Sequence, residues 1–278
     1  IQETQVNLAY KWFLGLNPED PLPDPSQLSR FRNHRLGAGA VDEVLKSVVR
    51  QCIEKGLVKS KTIIMDSTHT LAASQKQKPL EVLRDAAKRL FRVVVKKHPK
   101  LEKKLPRLPE LKKDQEDAEK IMLHYLAELG ETVETLLPDH EGSISEKVKI
   151  AKAIVEDERL LANKGIMSAI DPDARFGWKS NTKSFFGYKE HIAMTEEEII
   201  TAVEVTGGST DDGKQFKQLL NQSLDVGIEV QEVIADTAYS GKDNLDEMKA
   251  KKIQPVVPLN PIVHNGGLRQ EGFEYNKD

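Results

Sequence analysis

Two aspartates, Asp66 and Asp236, each follow a short apolar run of the kind that forms a strand. They lie in Thr-Ile-Ile-Met-Asp-Ser-Thr-His (residues 62–69) and in Val-Ile-Ala-Asp-Thr-Ala-Tyr (residues 233–239). A carboxylate at the end of a strand is rigidly held and open to substrate. Mg²⁺ prefers such hard oxygen ligands, and two divalent ions can support an in-line displacement at phosphorus. The pair therefore predicts metal-dependent phosphoryl transfer, whereas a single such Asp would more often cap a turn.

The composition excludes a membrane protein. Of the 278 residues, 38% are hydrophobic and 31% are charged. No apolar run approaches the roughly 20 residues that a membrane span needs. The single cysteine, Cys52, excludes a disulfide framework or a thiolate-rich zinc site within this sequence, and we expect it to be a small apolar helix residue. A reducing, cytoplasmic setting is the expectation.

Positive charge is concentrated in one stretch, although the net charge is −3. Residues 84–113 hold twelve Lys or Arg against three acids. On a predicted helix, like charges four residues apart oppose helix stability by a few tenths of a kcal/mol per pair. A polyanion would relieve this repulsion, so contact with DNA phosphates is predicted. A solvated face, balanced by the acidic helix that starts near Asp114, stays open as the alternative. The row at this spacing is Arg84, Lys88, Arg92 and Lys96.

A helical N-terminal part and an α/β part must position these residues. Apolar periodicity predicts three helices within a small all-α N-terminal domain, residues 1–57. Two helices joined by a Gly-containing turn could bind DNA but more often simply pack together. A catalytic domain, residues 58–278, follows with a helical insertion at about 76–165. The predicted helices cover 5–16, 26–36, 41–55, 211–225 and 243–252, and the predicted strands cover 61–68, 185–194, 199–206, 230–235 and 253–259.

The order of these elements, with the insertion set aside, is that of a ribonuclease H-like core. Three strands form a meander, a helix crosses over, and parallel strands then alternate with helices. The predicted fold class is therefore α/β, with a mixed sheet and flanking helices. In this arrangement the first and fourth strands are neighbours, so Asp66 and Asp236 meet although 170 positions (236 − 66) separate them.

Four stretches of the chain resemble DDE transposases of the IS4/IS5 superfamily, most closely the IS1182 group of bacterial insertion sequences. Each stretch is a weak motif alone, but their order and their placement on predicted elements make the combination specific. The stretches are residues 11–16 with 25–32, residues 65–68, residues 171–175 with 186–189, and residues 235–239.

The resemblance implies metal-dependent hydrolysis at transposon ends, then attack of the freed 3′-hydroxyl on target DNA. Asp66 and Asp236 would hold two Mg²⁺ or Mn²⁺ ions together with a third acid, a Glu. Double-stranded DNA is the implied partner, with a homodimer assembled on it at the bacterial nucleoid. Arg175 is as well explained by a surface ion pair. The residues expected to contact DNA are Arg30, Arg32, Arg35, Arg84, Lys88, Arg92, Lys96, Arg175 and Lys189.

The end of the chain departs from the family pattern. The family's third acid lies on a helix after the last core strand, whereas residues 260–278 are rich in Pro, Gly and Asn. Residues 272–276 resemble a loop of relatives, and Glu271 and Glu274 come too early to replace the missing Glu. We therefore expect a fragment that is truncated before its third catalytic acid. An inert remnant that binds DNA or dimerises, and another metal-dependent ribonuclease H-like nuclease, remain alternatives.

Four further side chains have predicted structural roles. His69 is expected to be structural or solvated rather than a ligand, because Mg²⁺ prefers oxygen. Tyr239 is expected to pack beneath the site. Trp12 and Trp178 are expected to anchor the core or an interface.

Overall fold

The described N-terminal part of the chain forms short helices. The computed structural model describes residues 2–259, apart from 38, 113–114 and 181. The predicted helix over 5–16 is in fact two helices, because the Asn7 side chain accepts hydrogen bonds from the backbone of Ala9 (3.0 Å) and Tyr10 (3.4 Å). Such a side chain caps a new helix and competes with continuation of the previous one. The helices here are α1 (Gln2–Val6), α2 (Leu8–Phe13), α3 (Pro25–His34) and α4 (Ala40–Glu54).

A mixed sheet forms the centre of the α/β part. Strand β1 (Thr62–Leu71) pairs antiparallel with β3 (Lys183–Thr195) on one side and parallel with β5 (Glu232–Ala235) on the other. Beyond β5, the parallel strand β6 (Gln254–Val256) extends the sheet. The predicted first and fourth strands are therefore neighbours. This sheet, with its flanking helices, is consistent with the ribonuclease H-like core that the element order predicts.

Two strands differ from their predictions. The strand predicted to end at residue 68 continues to Leu71, because β3 offers it a partner as far as Gly187. Asp66 therefore lies inside β1. It directly follows the last residue of β1 that pairs with β5, so it is at a strand end only in that pairing. Strand β2 (Arg175–Ser180) was not predicted, and it pairs antiparallel with the beginning of β3. Strand β4 (Ile200–Gly207), which was predicted, pairs with the rest of β3.

The two faces of the sheet differ in burial. On the covered face, alternate strand residues such as Met65 and Val233 are buried beneath α8 (Phe216–Asp225), α9 (Lys242–Ala250) and the apolar side of α4. A 3₁₀ turn, 212–215, precedes α8 within the predicted helix over 211–225. On the opposite face, Ile64 and Ile234 are only half-buried and Asp66 is exposed. The candidate acid Asp66 therefore belongs to the more open face.

The segment between β1 and β2 forms a separate helical cluster. It consists of α5 (Pro79–Lys97), a 3₁₀ turn (Pro99–Lys104), α6 (Ala118–Leu136) and α7 (Ser143–Val155). Its buried residues pack on one another and share no member with the core of the sheet. Among the described helices, none is long and apolar enough to cross a membrane.

Candidate active site

Asp66 and Asp236 occupy neighbouring positions at the edge of a parallel strand pair. The last paired residues of β1 and β5 are Met65 and Ala235, so each Asp is the next residue along its strand. Adjacent strands lie about 4.8 Å apart. Both carboxylates are exposed. The structure thus brings together the two acids that the sequence singles out.

Each carboxylate uses one oxygen locally and leaves the other available. Oδ1 of Asp66 accepts a hydrogen bond from N of Ser67 (2.7 Å), and Oδ1 of Asp236 accepts one from N of Ala238 (2.9 Å). Asp236 therefore also caps the short 3₁₀ turn 237–239. Neither carboxylate forms an ion pair, and neither second oxygen accepts a hydrogen bond, within the described part of the chain.

The donor set fits a hard divalent cation. Two adjacent anionic groups without a counter-charge repel each other, and a cation between them removes that repulsion. Mg²⁺ is commonly held by one or two carboxylates, with water and substrate phosphate completing its shell. Residues 2–259, as far as they are described, contain no group of three or more His, Cys, Asp or Glu arranged around one metal position. The two aspartates therefore fit a two-carboxylate cation site, in which oxygens of water or substrate phosphate supply the remaining ligands.

Tyr239 is buried in the core of the sheet, which agrees with the predicted packing role. Burial raises the pKa of its phenol, and the nearby charges of Asp212, Asp236 and Asp66 raise it further. The hydroxyl therefore stays protonated around neutral pH. Its oxygen has no hydrogen-bond partner among the described residues. An unused O–H donor thus lies within the field of three carboxylates.

A buried charge network adjoins this tyrosine. Nζ of Lys189 lies 2.9 Å from Oδ1 of Asp212, and Nδ1 of buried His191 lies 3.6 Å from the same oxygen. Nε2 of His191 lies 2.9 Å from the hydroxyl of Thr206. Burial lowers the pKa of His191 although Asp212 opposes this effect, so the imidazole is neutral at pH 7. Lys189, expected to contact DNA, is thus engaged in an internal ion pair.

The sequence did not identify Asp212 or His191. Asp212 follows another Asp in a polar turn, and nothing in that pattern shows which of the two faces inward. His191 occupies an inward position of β3 by alternation, which is a weak signal because a buried His usually has a structural role. The roles of Asp212 and His191 can be recognised only in the tertiary structure, where β3 and the turn before α8 lie side by side.

The predicted DNA-contacting residues are distributed over three parts of the molecule. The four cations of the α5 row are exposed, and within the described chain none of them forms an ion pair. Two of them, Lys88 and Arg92, also line a groove of about 560 Å³ with Phe91 and Tyr125. Arg30 and Arg32 of α3, and Arg35 directly after its end, are exposed as well.

Arg175 is turned toward its own backbone. Its Nη1 donates hydrogen bonds to the carbonyl oxygens of Pro172 and Ala174. The side chain also lines a polar pocket with Arg159 and Lys214. These hydrogen bonds anchor the Arg175 side chain to its own backbone. The contact between Arg175 and DNA stays a prediction.

Other predicted residues have mixed outcomes. The ring of His69 packs on Phe185 at 4.7 Å between centroids, on the opposite face of β1 from Asp66, which agrees with a structural role. Trp12 is 82% exposed and Trp178 is 59% exposed, so neither anchors the core and only an interface role remains. The predictions for Glu271, Glu274 and the loop 272–276 lie outside the described residues.

Two family models match the chain. Residues 147–275 match a model described as "Transposase DDE domain", and residues 1–34 match one described as "Transposase domain (DUF772)". Asp236 lies inside the first match, whereas Asp66 precedes it. No curated protein and no solved structure gives a significant match to this chain.

Proposed function

Because this chain belongs to the DDE transposases, we propose that it acts on the ends of an insertion sequence, by hydrolysis of a DNA phosphodiester followed by strand transfer. The pairing of its two domains fits the IS1182 group. The observation that carries the proposal is the neighbouring position of Asp66 and Asp236 after the last parallel pair of β1 and β5. Neither acid has an ion-pair partner in the described chain, which leaves both free for a cation.

In this proposal Asp66 and Asp236 hold Mg²⁺ or Mn²⁺, two ions as the family resemblance implies. DDE transposase domains generally use divalent ions, which polarise the scissile phosphate and make water or a hydroxyl more nucleophilic. The strand pair fixes both carboxylates before DNA arrives, and the backbone hydrogen bonds from Ser67 and Ala238 orient them. The third acid of the family is assigned to no described residue.

DNA binding is proposed for the exposed cations of α5 and α3. The α5 row is free of ion pairs in the described chain, and four aligned cations suit consecutive phosphates. The insertion at about 76–165 is supported by the separate cores of the helical cluster and the sheet. The domains 1–57 and 58–278 are proposed as well, with α4 packed against the sheet through Val49. A homodimer on DNA is supported by exposed apolar side chains on α2, among them Trp12 and Phe13. Action on bacterial chromosomal DNA in the cytoplasm follows from the family resemblance.

A second candidate function is a DNA-binding or dimerising protein without activity. The described residues supply two acids but no third ligand around one metal position, and this observation favours it. Such a protein would bind the transposon ends and would leave them uncut. A metal-dependent nuclease unrelated to transposition would instead cut DNA without joining strands.

Cleavage and joining of the element's own terminal DNA with Mg²⁺ or Mn²⁺ separates these functions. We expect strand transfer that is abolished by Asp66→Ala and by Asp236→Ala, with DNA binding retained in both variants. The same assay on a chain extended along its reading frame shows whether a third acid is supplied there. Binding without cleavage in either chain would establish the inactive protein, and cleavage without joining would establish the unrelated nuclease.

A further inference from the structure

Strand β2 places two aromatic side chains on the open face of the sheet. Phe176 and Trp178 are alternate residues of β2, and Phe176 pairs with Phe186 of β3. Asp66 pairs with Ile192 of the same strand. Paired residues share a face, as do alternate residues of one strand, so both rings lie on the face that carries Asp66. The six positions between Phe186 and Ile192 (192 − 186) correspond to about 20 Å along β3.

The indole of Trp178 is oriented by a neighbour and still open to solvent. Its ring and that of Phe176 form an edge-to-face pair, with centroids 5.5 Å apart and planes at 88°. Such a contact favours one orientation of the indole. Trp178 is nevertheless 59% exposed. It therefore offers a flat, oriented surface on which another ring can stack.

Positive charge surrounds the two rings. Nζ of Lys76 lies 4.7 Å from the centroid of the Phe176 ring, which is a cation–π contact. Lys179 and Lys183 are exposed near the tip of the β2–β3 hairpin. Within the described residues, none of these three lysines forms an ion pair. Their charges are therefore available to an anion.

The acid next to the rings on this face of β3 is already engaged. Glu190 lies two positions beyond Tyr188 and accepts a hydrogen bond from the hydroxyl of Thr70. Tyr188 itself donates its hydroxyl hydrogen bond to Asp171. These two carboxylates are held by hydroxyl groups and leave the three lysines without a counter-charge.

Aromatic rings with unpaired cations beside them match the chemistry of a single-stranded polynucleotide. Its bases stack on aromatic side chains, and its phosphates attract lysine ammonium groups. Bases inside a duplex are already stacked on their neighbours, so only an unpaired base can cover the indole. The ligand that fits is therefore an unpaired nucleotide rather than a base pair.

We propose that Trp178, Phe176 and Lys76 form an aromatic platform that binds an unpaired base of the DNA strand reaching Asp66. The inference rests on the proposed action on DNA ends and adds to it a site for single-stranded DNA. A separation of about 20 Å equals about six nucleotides at 3.4 Å each. A strand held at the platform can therefore extend along the open face to the candidate acids.

The fluorescence of Trp178 tests contact with a base directly. The chain has two tryptophans, so Trp12→Phe leaves Trp178 as the single indole. We titrate this variant with an oligothymidylate of about twelve residues in EDTA, where metal-dependent cleavage does not occur. A stacked base quenches an indole, so we expect quenching by the oligothymidylate and little quenching by a blunt duplex of the same length.

Fluorescence anisotropy of labelled DNA then measures the contribution of the ring to affinity. Trp178→Leu should raise the Kd for oligothymidylate about fivefold or more, and should change the Kd for the duplex by less than about twofold. Trp178→Tyr keeps a stacking ring and should stay close to the parent for both. Trp12→Leu is the matched control, because Trp12 is 82% exposed on α2 and its loss should change neither Kd.

The charge of the platform has its own variant. Lys76→Gln should raise the Kd for oligothymidylate and lower the dependence of log K on log salt by about 0.7. Circular dichroism verifies that each variant is folded. If Trp178→Leu does not fold, the quenching of Trp178 in the Trp12→Phe variant and the Lys76→Gln salt dependence decide.

Three results would overturn the platform. They are an unquenched Trp178 at saturating oligothymidylate, an unchanged Kd in Trp178→Leu, and an equal loss of affinity for single-stranded and duplex DNA. Sedimentation velocity covers a contact between copies: a dimer that Trp178→Leu dissociates, with unchanged affinity for oligothymidylate, would assign the ring to that contact instead.

Failure of the proposed function is observed separately. Terminal DNA that stays uncut with Mg²⁺ or Mn²⁺ would overturn strand transfer, whereas binding of oligothymidylate in EDTA does not depend on a metal. Binding that requires Trp178 would then persist and keep the site for unpaired DNA. Cleavage by the parent together with an unchanged Kd in Trp178→Leu would overturn the platform alone.

Discussion

Asp236 has a structural and a proposed chemical role, and two substitutions separate them. Its Oδ1 accepts the hydrogen bond from N of Ala238 that caps the turn 237–239. Asp236→Asn keeps an acceptor oxygen but loses the charge, so the free energy of unfolding should change by less than about 0.5 kcal/mol while DNA cleavage is lost. Asp236→Ala loses both, and the missing cap should cost about 1 kcal/mol. Urea unfolding beside a cleavage assay measures both effects.

Asp24 is the control for the capping part of this prediction. Its Oδ1 accepts a hydrogen bond from N of Ser26 at 2.8 Å at the start of α3, outside the strand pair. Asp24→Ala should therefore lower stability by a similar amount and leave strand cleavage in place. Cleavage by Asp236→Asn at the parent rate would show that Asp236 only caps the turn.

At the scale of residues, the sequence identified the acids but not the charges around them. Asp66 and Asp236 follow apolar runs, and such a pattern has a recognisable period. Asp212 and His191 carry no such signal, because their roles depend on a neighbour that is distant in sequence. Lys189 shows the same limit: its chemistry fits phosphate, but the fold pairs it with Asp212.

Helix α5 carries the cationic row on its exposed side. Replacing Arg84, Lys88, Arg92 and Lys96 by Gln should weaken DNA binding and lower the dependence of log K on log salt by about 0.9 per lost phosphate contact. The helix itself should not be destabilised, since each like-charged pair at this spacing costs a few tenths of a kcal/mol. Fluorescence anisotropy at several salt concentrations, with thermal unfolding, measures these effects.

The matched control removes the same charge elsewhere. Lys164, Lys242, Lys249 and Lys252 are exposed and form no ion pair in the described chain. Their replacement by Gln changes the net charge by the same amount, yet the salt dependence should change little. Equal effects in the two quadruple variants would show that only the overall charge matters and that α5 is a solvated face.

At the scale of elements, helices were predicted more closely than strand ends. The helix predicted over 41–55 is observed as Ala40–Glu54, because its apolar period and its final Gly are local features. The end of β1 depends instead on how far β3 continues beside it, and β2 exists because β3 offers it an edge. Strand bounds therefore required the partner strand.

At the scale of the whole molecule, the described residues form two separate hydrophobic cores. Leu126 is fully buried in the helical cluster, and Leu219 is fully buried between α8 and the sheet. Each Leu→Ala substitution should cost about 2–5 kcal/mol in its own core. Hydrogen exchange should then accelerate mainly in α5–α7 for Leu126→Ala, and mainly in the sheet and α8 for Leu219→Ala. Mass spectrometry of exchanged peptides resolves the two patterns.

Each variant serves as the control for the other in this experiment. Val205, which is exposed on the open face of the sheet, provides a third comparison, since Val205→Ala should leave both exchange patterns unchanged. Uniform acceleration over the whole chain in both Leu variants would contradict separate cores. It would also contradict the description of residues 76–165 as an insertion with its own stability.

By itself the sequence predicted the α/β class, the two candidate acids and most of the order of elements, but not β2. These features are local: apolar period, caps and strand-ending residues can be recognised within a few positions. Only the tertiary structure decided that β1 and β5 pair in the register that makes Asp66 and Asp236 neighbours. It also decided that Asp212 binds Lys189, since burial and pairing of charges depend on contacts between distant segments.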